Sequence, residues 1–147
     1  MTTTPLSFVE RLRDATNAHD LDALVDCFAE SYRNETPLHP ARGFTGRGQV
    51  RSNWQQIFAA VPDVEATVHA TAVNGDEIWS EWEMRGTRPD GSPHHMRGVI
   101  IFGVDEGRAD SARFYLEPVD AGNQGATEAV RNIVGAPSGP AEQRDQP

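Results

Sequence analysis

The stretch Ile78–Arg88, IWSEWEMRGTR, is followed by His94–Val104, HHMRGVIIFGV, and then by Ser111–Asp120, SARFYLEPVD, with only short breaks between them. Asp90-Gly91 and Asp105-Glu106-Gly107 occupy the breaks, and Gly after an acidic residue suits a tight hairpin turn. Three long antiparallel strands in a meander are therefore predicted. Successive side chains of a strand point to opposite faces, so parity divides the stretch into two surfaces. One holds Ile78, Ser80, Trp82, Met84, Met96, Gly98, Ile100, Phe102, Ala112, Phe114 and Leu116. The other holds Trp79, Glu81, Glu83, Arg85, His95, Arg97, Val99, Ile101, Arg113, Tyr115 and Glu117. The first surface must be covered by the rest of the chain. The second is too charged for a core, although a one-residue bulge would exchange the two surfaces from that point onward.

The covering elements lie upstream. Thr4 before Pro5, with Phe8, Leu12 and Ala15 at helical spacing, predicts a helix over about 5–18. Asp20 caps a second helix with a stripe of Leu21, Leu24, Val25 and Phe28. A short strand is expected over Tyr32–Leu38, ended by Pro37 and Pro40, and a loop over Ala41–Gly46. Val50, Trp54, Ile57, Phe58 and Val61 share one face of a third helix that Pro62 stops. Val64–Val73 is a further strand, and Asn74-Gly75 turns it into the Ile78 strand. The order of elements gives an α+β fold, with helices on one face of a curved antiparallel sheet. A domain over 1–120 is followed by a tail over 121–147, with a short helix near 127–134 and disorder expected beyond about 136.

Composition excludes several functions. The 147 residues carry a formal net charge of −9 and no basic run, so neither nucleic acid nor an anionic membrane surface is an expected partner. All 13 cations are Arg. Without Lys there is no Schiff base, no pyridoxal phosphate attachment and no Walker lysine. Cys27 is alone and lies in an apolar helical pattern, which suits a buried, inert thiol. No segment approaches the run of about 18 apolar residues that spans a bilayer, and a cytoplasmic protein is expected. Paired cysteines and a His-Glu-x-x-His run are both missing, and His94-His95 point to opposite faces of a strand. Neither a metal nor a cofactor is predicted.

The run Asn17-Ala18-His19-Asp20-Leu21-Asp22-Ala23-Leu24 leads into Phe28-Ala29-Glu30, a short strand ending at Pro37, and Gly46-Arg47-Gly48 opening a helix. That order resembles the nuclear-transport-factor-2-like superfamily. Asp76 after a turn, Gly86-Thr87, Gly107-Arg108 and Arg113-Phe114-Tyr115-Leu116-Glu117 are similar to its SnoaL-like polyketide cyclase branch. The resemblance runs from residue 5 to about 119. It implies a cone-shaped α+β barrel, in which a curved sheet wraps three helices around a pocket and two subunits dock through the sheet's outer face. Such proteins include isomerases, cyclases, hydrolases, dehydratases and non-catalytic modules, so the fold alone does not assign chemistry. The isomerase pattern would place its tyrosine at Leu12, its base at Thr36 and its oxyanion acid near Ile100. The epoxide-hydrolase pattern would place an aspartate at Phe114 and an Arg-x-Asp pair near Ser80 and Trp82. None of these positions carries the required group. A cyclase asks less, because its substrate's proton is already acidic.

The inner surface then defines the expected site. Tyr32, Asn34 and His94 are the candidates to position and protonate an oxygen. Thr36, Trp54, Phe58, Ser80, Trp82, Met84, Met96, Phe114 and Leu116 are the expected lining, an apolar cleft with a few polar groups. The alternative for the aromatics is plain core. The outer residues Trp79, Glu81, Glu83, Arg97, Arg113, Tyr115 and Glu117 are expected at a homodimer face, as cross-strand ion pairs with aromatics between them. A catalytic cleft built on Glu83, Arg97 and Glu117 is the competing use of that surface. His39 reads as a solvated loop residue and His19 as structural. The function expected is small-molecule binding with an unknown substrate, with cofactor-free cyclase, isomerase or hydratase chemistry if the protein is an enzyme. The alternative is a non-catalytic binding or dimeric interaction module.

Overall fold

The computed structural model describes residues 4–135; the tail expected to be disordered lies outside them. Helix α1 (Pro5–Asn17) starts at a capping box, in which Thr4 Oγ1 accepts from the Ser7 amide and Ser7 Oγ accepts from the Thr4 amide. Helix α2 (Leu21–Asp26) is capped by the Asp20 carboxylate. The corner between them is tied to the sheet. Asn17 Nδ2 donates to the Ala66 carbonyl at 3.0 Å while its Oδ1 accepts from the Ala66 amide at 2.7 Å, so one side chain replaces a neighbouring strand. His19 Nε2 donates to the Val64 carbonyl at 2.8 Å, and its ring stacks on Phe58 with centroids 4.8 Å apart.

Strand β1 (Phe28–Glu35) begins four residues before the expected start. The apolar spacing carries the helical pattern through to Phe28, but the Cys27 amide donates to Leu24 O and closes the helix. The Cys27 carbonyl then accepts from the Ala109 amide. A two-residue strand β2 (Phe44–Thr45) pairs with β1 inside the segment expected to be loop. Helix α3 (Arg47–Ala60) follows, and then β3 (Glu65–Asn74), β4 (Glu77–Thr87), β5 (Pro93–Asp105) and β6 (Arg108–Pro118). Helix α4 (Ala126–Val134) ends at Gly135 in the left-handed conformation. No helix among the described residues is long and apolar enough to cross a membrane.

The sheet order is β2-β1-β6-β5-β4-β3. All pairs are antiparallel except β1 with β6, which is parallel, so the sheet is mixed and its closing contact joins residues about 80 apart. Two turns repay a closer look. Asn74 pairs with Glu77, which leaves Gly75-Asp76 as the turn, with Gly75 at φ 62 in its first position rather than second. Asp105 pairs with Arg108, and Glu106 and Gly107 both have positive φ, 50 and 80, the primed geometry that matches strand twist. Irregularities of register fall between Phe28 and Arg33, between Val68 and Ala70 and between Gly103 and Val104, all outside the paired run from Ile78 to Phe102. Parity therefore holds through the centre of the sheet. Ile78, Trp82, Ile100, Phe102 and Ala112 are buried beneath Phe8, Leu12 and Leu24. Phe8 sits edge-on to Phe102 at 4.9 Å.

Candidate functional site

A cavity of about 290 Å³ opens between α1, α3, β1 and the inner face of β4, β5 and β6. Its size is at the lower end of small-molecule clefts, which run from about 300 to 1,000 Å³. Trp54, Trp82, Met84, Met96, Phe114 and Leu116 all line it, as does Thr36. Phe58 and Ser80 do not. Phe58 is drawn away to His19 and Trp54. Ser80 is consumed by structure: its hydroxyl donates to the Ile100 carbonyl at 2.7 Å and accepts from Trp82 Nε1 at 2.8 Å. That second bond removes the indole N–H from the cavity's polar inventory.

Tyr32, Asn34 and His94 face the same cavity. Tyr32 is 1% exposed, and its hydroxyl donates to Asn34 Oδ1 at 2.7 Å. Burial alone drives the phenol's pKa well above its usual value, so Tyr32 stays protonated. With Oδ1 engaged, the Asn34 amide has its two N–H donors left, and no partner for them exists among the described residues. Asn34 is 7% exposed and lines the cavity, so those donors are largely desolvated. His94, the second residue of β5, is half-buried, and its pKa lies below the ordinary value. Desolvation is the main cause, helped by the charges of Arg88 and His95. At neutral pH it is a neutral imidazole that can take up a proton.

Arg42, Asn53 and Glu117 are polar lining residues outside the expected set. Arg42 and Asn53 come from a loop and from the polar flank of α3, where no periodicity singles them out. Glu117, assigned by parity to the outer face, lies at the rim of the cavity with Oε1 3.3 Å from His39 Nε2. The reason is the end of a pairing: β1 runs beside β6 only as far as Glu35 and Arg113. Beyond that point the loop after β1 brings His39 to Glu117, so His39 is not a free surface residue.

The other outer residues form an ion-pair lattice. Glu83 accepts from His69 Nε2 at 2.8 Å and from His95 Nε2 at 2.7 Å, with Arg85 at 2.8 Å and Arg97 at 3.8 Å. The two imidazole hydrogen bonds, and then the two guanidinium charges, outweigh burial and hold its pKa at about 2. Arg97 also meets Glu81, and Arg113 meets Glu77. Glu83 and Glu117 thus have separate partners instead of converging in one cleft. Trp79 and Tyr115 are 46% and 37% exposed. No cluster of three or more His, Cys, Asp or Glu suited to a metal occurs among the described residues. Cys27 is fully buried, and burial raises its pKa.

Comparison with known proteins bears on the family and the fold. Residues 9–112 match the family model of the SnoaL-like domain. IdmH from Streptomyces antibioticus, a provisionally assigned polyketide cyclase, superposes with TM-score 0.67 at 24% identity, over 76% of this chain and 91% of that one. Rv0760c from Mycobacterium tuberculosis, solved with estradiol-17β-hemisuccinate, gives TM-score 0.65 at 20% identity over 76% and 92%. A protein of ketosteroid-isomerase-like fold from Catenulispora acidiphila, solved with trimethylamine, gives 0.65 at 20% identity over 77% and 87%. None of the curated protein sequences matches the chain.

Proposed function

Since the chain belongs to the SnoaL-like domain family, we propose that its cavity binds a mostly apolar, oxygen-bearing small molecule and catalyses a cofactor-free acid–base step on it. The observation that carries this reading is the buried Asn34 amide, fixed by Tyr32 and left with two free donors in an apolar chamber. A ligand carbonyl is the natural acceptor. The bound steroid ester of one structural neighbour and the cyclase assignment of another support a ligand of that general kind.

For ring closure the step balances simply. Neutral His94 removes an acidic C–H proton from the substrate, and the resulting enolate oxygen accepts from Asn34 Nδ2. The enolate carbon attacks a second carbonyl, and the alkoxide takes the proton back from the imidazolium. Tyr32 is a positioning residue, because its only proton is already donated to Asn34. Isomerisation of an enone would use the same two groups.

A second reading, ligand binding without turnover, is favoured by one observation: among the described residues Glu117 is the only acid lining the cavity, and it is engaged by His39. Thermal melting against anthraquinones, polyketide fragments, steroids and terpenoids tests binding, and turnover of any compound that shifts the midpoint separates the two readings. Wild-type turnover in an Asn34→Ala, His94→Ala double variant would overturn the catalytic assignment. We also place a homodimer contact on the outer sheet face around Trp79 and Tyr115.

A further inference from the structure

We propose that Arg42 makes the cavity selective for ligands whose polar end is a carboxylate carried on an apolar body. The proposal rests on the reading of the cavity as a ligand site and adds a substrate class to it. Arg42 lines the cavity from the short helical turn Pro40–Arg42. Its backbone is held there, since its amide donates to the His39 carbonyl at 2.9 Å and the next amide, of Gly43, donates to Pro40 O at 3.2 Å. Its guanidinium has no carboxylate, carbonyl or hydroxyl partner among the described residues. That is unusual in this chain, where 22 acids face 13 arginines. The arginines at 11, 13, 33, 47, 51, 85, 88, 97, 108 and 113 all have such partners. The remaining described one, Arg131, is on α4 and does not line the cavity.

The acid that lines the same cavity is paired elsewhere. Glu117 shares the rim, yet its carboxylate is engaged by His39, and no ion pair joins it to Arg42. An uncommitted guanidinium at the mouth of an apolar chamber offers a planar fork of donors to a bidentate carboxylate. The ligand's apolar body would fill the chamber, with an oxygen reaching Asn34 and its acid end at the rim.

The test is isothermal titration of wild-type protein with anthraquinone-2-carboxylate and with farnesoate, each against its own methyl ester. We expect each acid to bind at least tenfold tighter than its ester, with the ratio shrinking between 0.05 M and 0.5 M salt, as for a charge pair that solvent ions reach (roughly those concentrations bracket the change in screening length). In Arg42→Gln the ratio should fall toward one while the ester affinities hold; Arg42→Lys should keep part of it. Equal binding of acid and ester, or an acid preference that survives in Arg42→Gln, would overturn the proposal and leave the cavity reading standing. If no member of either pair binds, both fall together.

Discussion

At the scale of the single residue, the proposed ligand site depends on the hydrogen bond between Tyr32 and Asn34. Tyr32→Phe removes the hydroxyl that holds Asn34 and strands a buried amide oxygen, so it should destabilise the fold by about 1–3 kcal/mol. Urea denaturation measures that loss. The same variant lets the amide rotate, so ligand affinity should fall together with stability. Asn34→Ala should lose affinity as strongly and a comparable amount of stability, because it leaves the buried Tyr32 hydroxyl without its acceptor. His94 supplies a pH dependence of known sign. Its folded pKa lies below the ordinary histidine value, so the unfolded chain binds the proton first as pH falls. Stability contributed by the neutral ring is therefore full above about pH 6.5 and declines as pH drops toward the folded pKa. Turnover that needs the neutral imidazole should fall on the acid side as well. His94→Gln should flatten the pH dependence of the melting midpoint in that window; an unchanged profile would mean that the ring is not desolvated.

At the scale of the element, the meander was legible because its information is local. Asp-Gly and Glu-Gly turns and strict alternation sit within a few residues of what they organise, and parity correctly buried Trp82 and exposed Trp79. What was illegible depends on contacts between distant parts of the chain. The early start of β1 is set by its parallel pairing with β6, and the His39–Glu117 contact spans 78 positions. Gly98 was read as one inward position among others, but it has a structural duty. Its φ is 152, and a Cβ there would overlap the Tyr115 carbonyl and press on Leu116 Cα, so β5 and β6 approach too closely for any side chain. Gly98→Ala should cost about 3 kcal/mol, from overpacking and backbone strain together, and reduced ligand binding should follow because Leu116 lines the cavity. Gly48→Ala, which meets nothing within 4 Å and lies inside α3, is the matched control expected to be neutral or stabilising. On the outer face, Glu83 has a pKa of about 2 against an ordinary 4.5. Its contribution is therefore complete above about pH 4.5 and disappears as pH falls through 2. The melting midpoint of wild type should drop across that window, and Glu83→Gln should drop less.

At the scale of the whole molecule, the outer face and the net charge pull in opposite directions. Trp79 and Tyr115 leave apolar surface in water, 46% and 37% exposed, on a sheet face whose charged neighbours are already paired with one another. Burying that surface against a second copy would be favourable, at about 25 cal/mol per Å² of apolar area. Yet each copy carries −9, so association brings two like-charged copies together, against a repulsion screened over a Debye length of about 8 Å at physiological salt. Salt weakens that repulsion far more than it weakens the apolar contact. If the proposed homodimer forms through this face, the melting midpoint should rise with protein concentration, because dissociation is linked to unfolding. The rise should begin at lower protein concentration in 0.5 M salt than in 0.02 M salt, values chosen to bracket screening lengths from roughly 4 to 20 Å. Trp79→Arg should abolish the concentration dependence while leaving the ligand-induced shift of the midpoint intact, because Trp79 points away from the cavity. Analytical ultracentrifugation of the same samples gives the mass directly. A single monomeric species at both salt concentrations would remove the outer face from consideration as a dimer contact, and the cavity would then be the function of a protein that works alone.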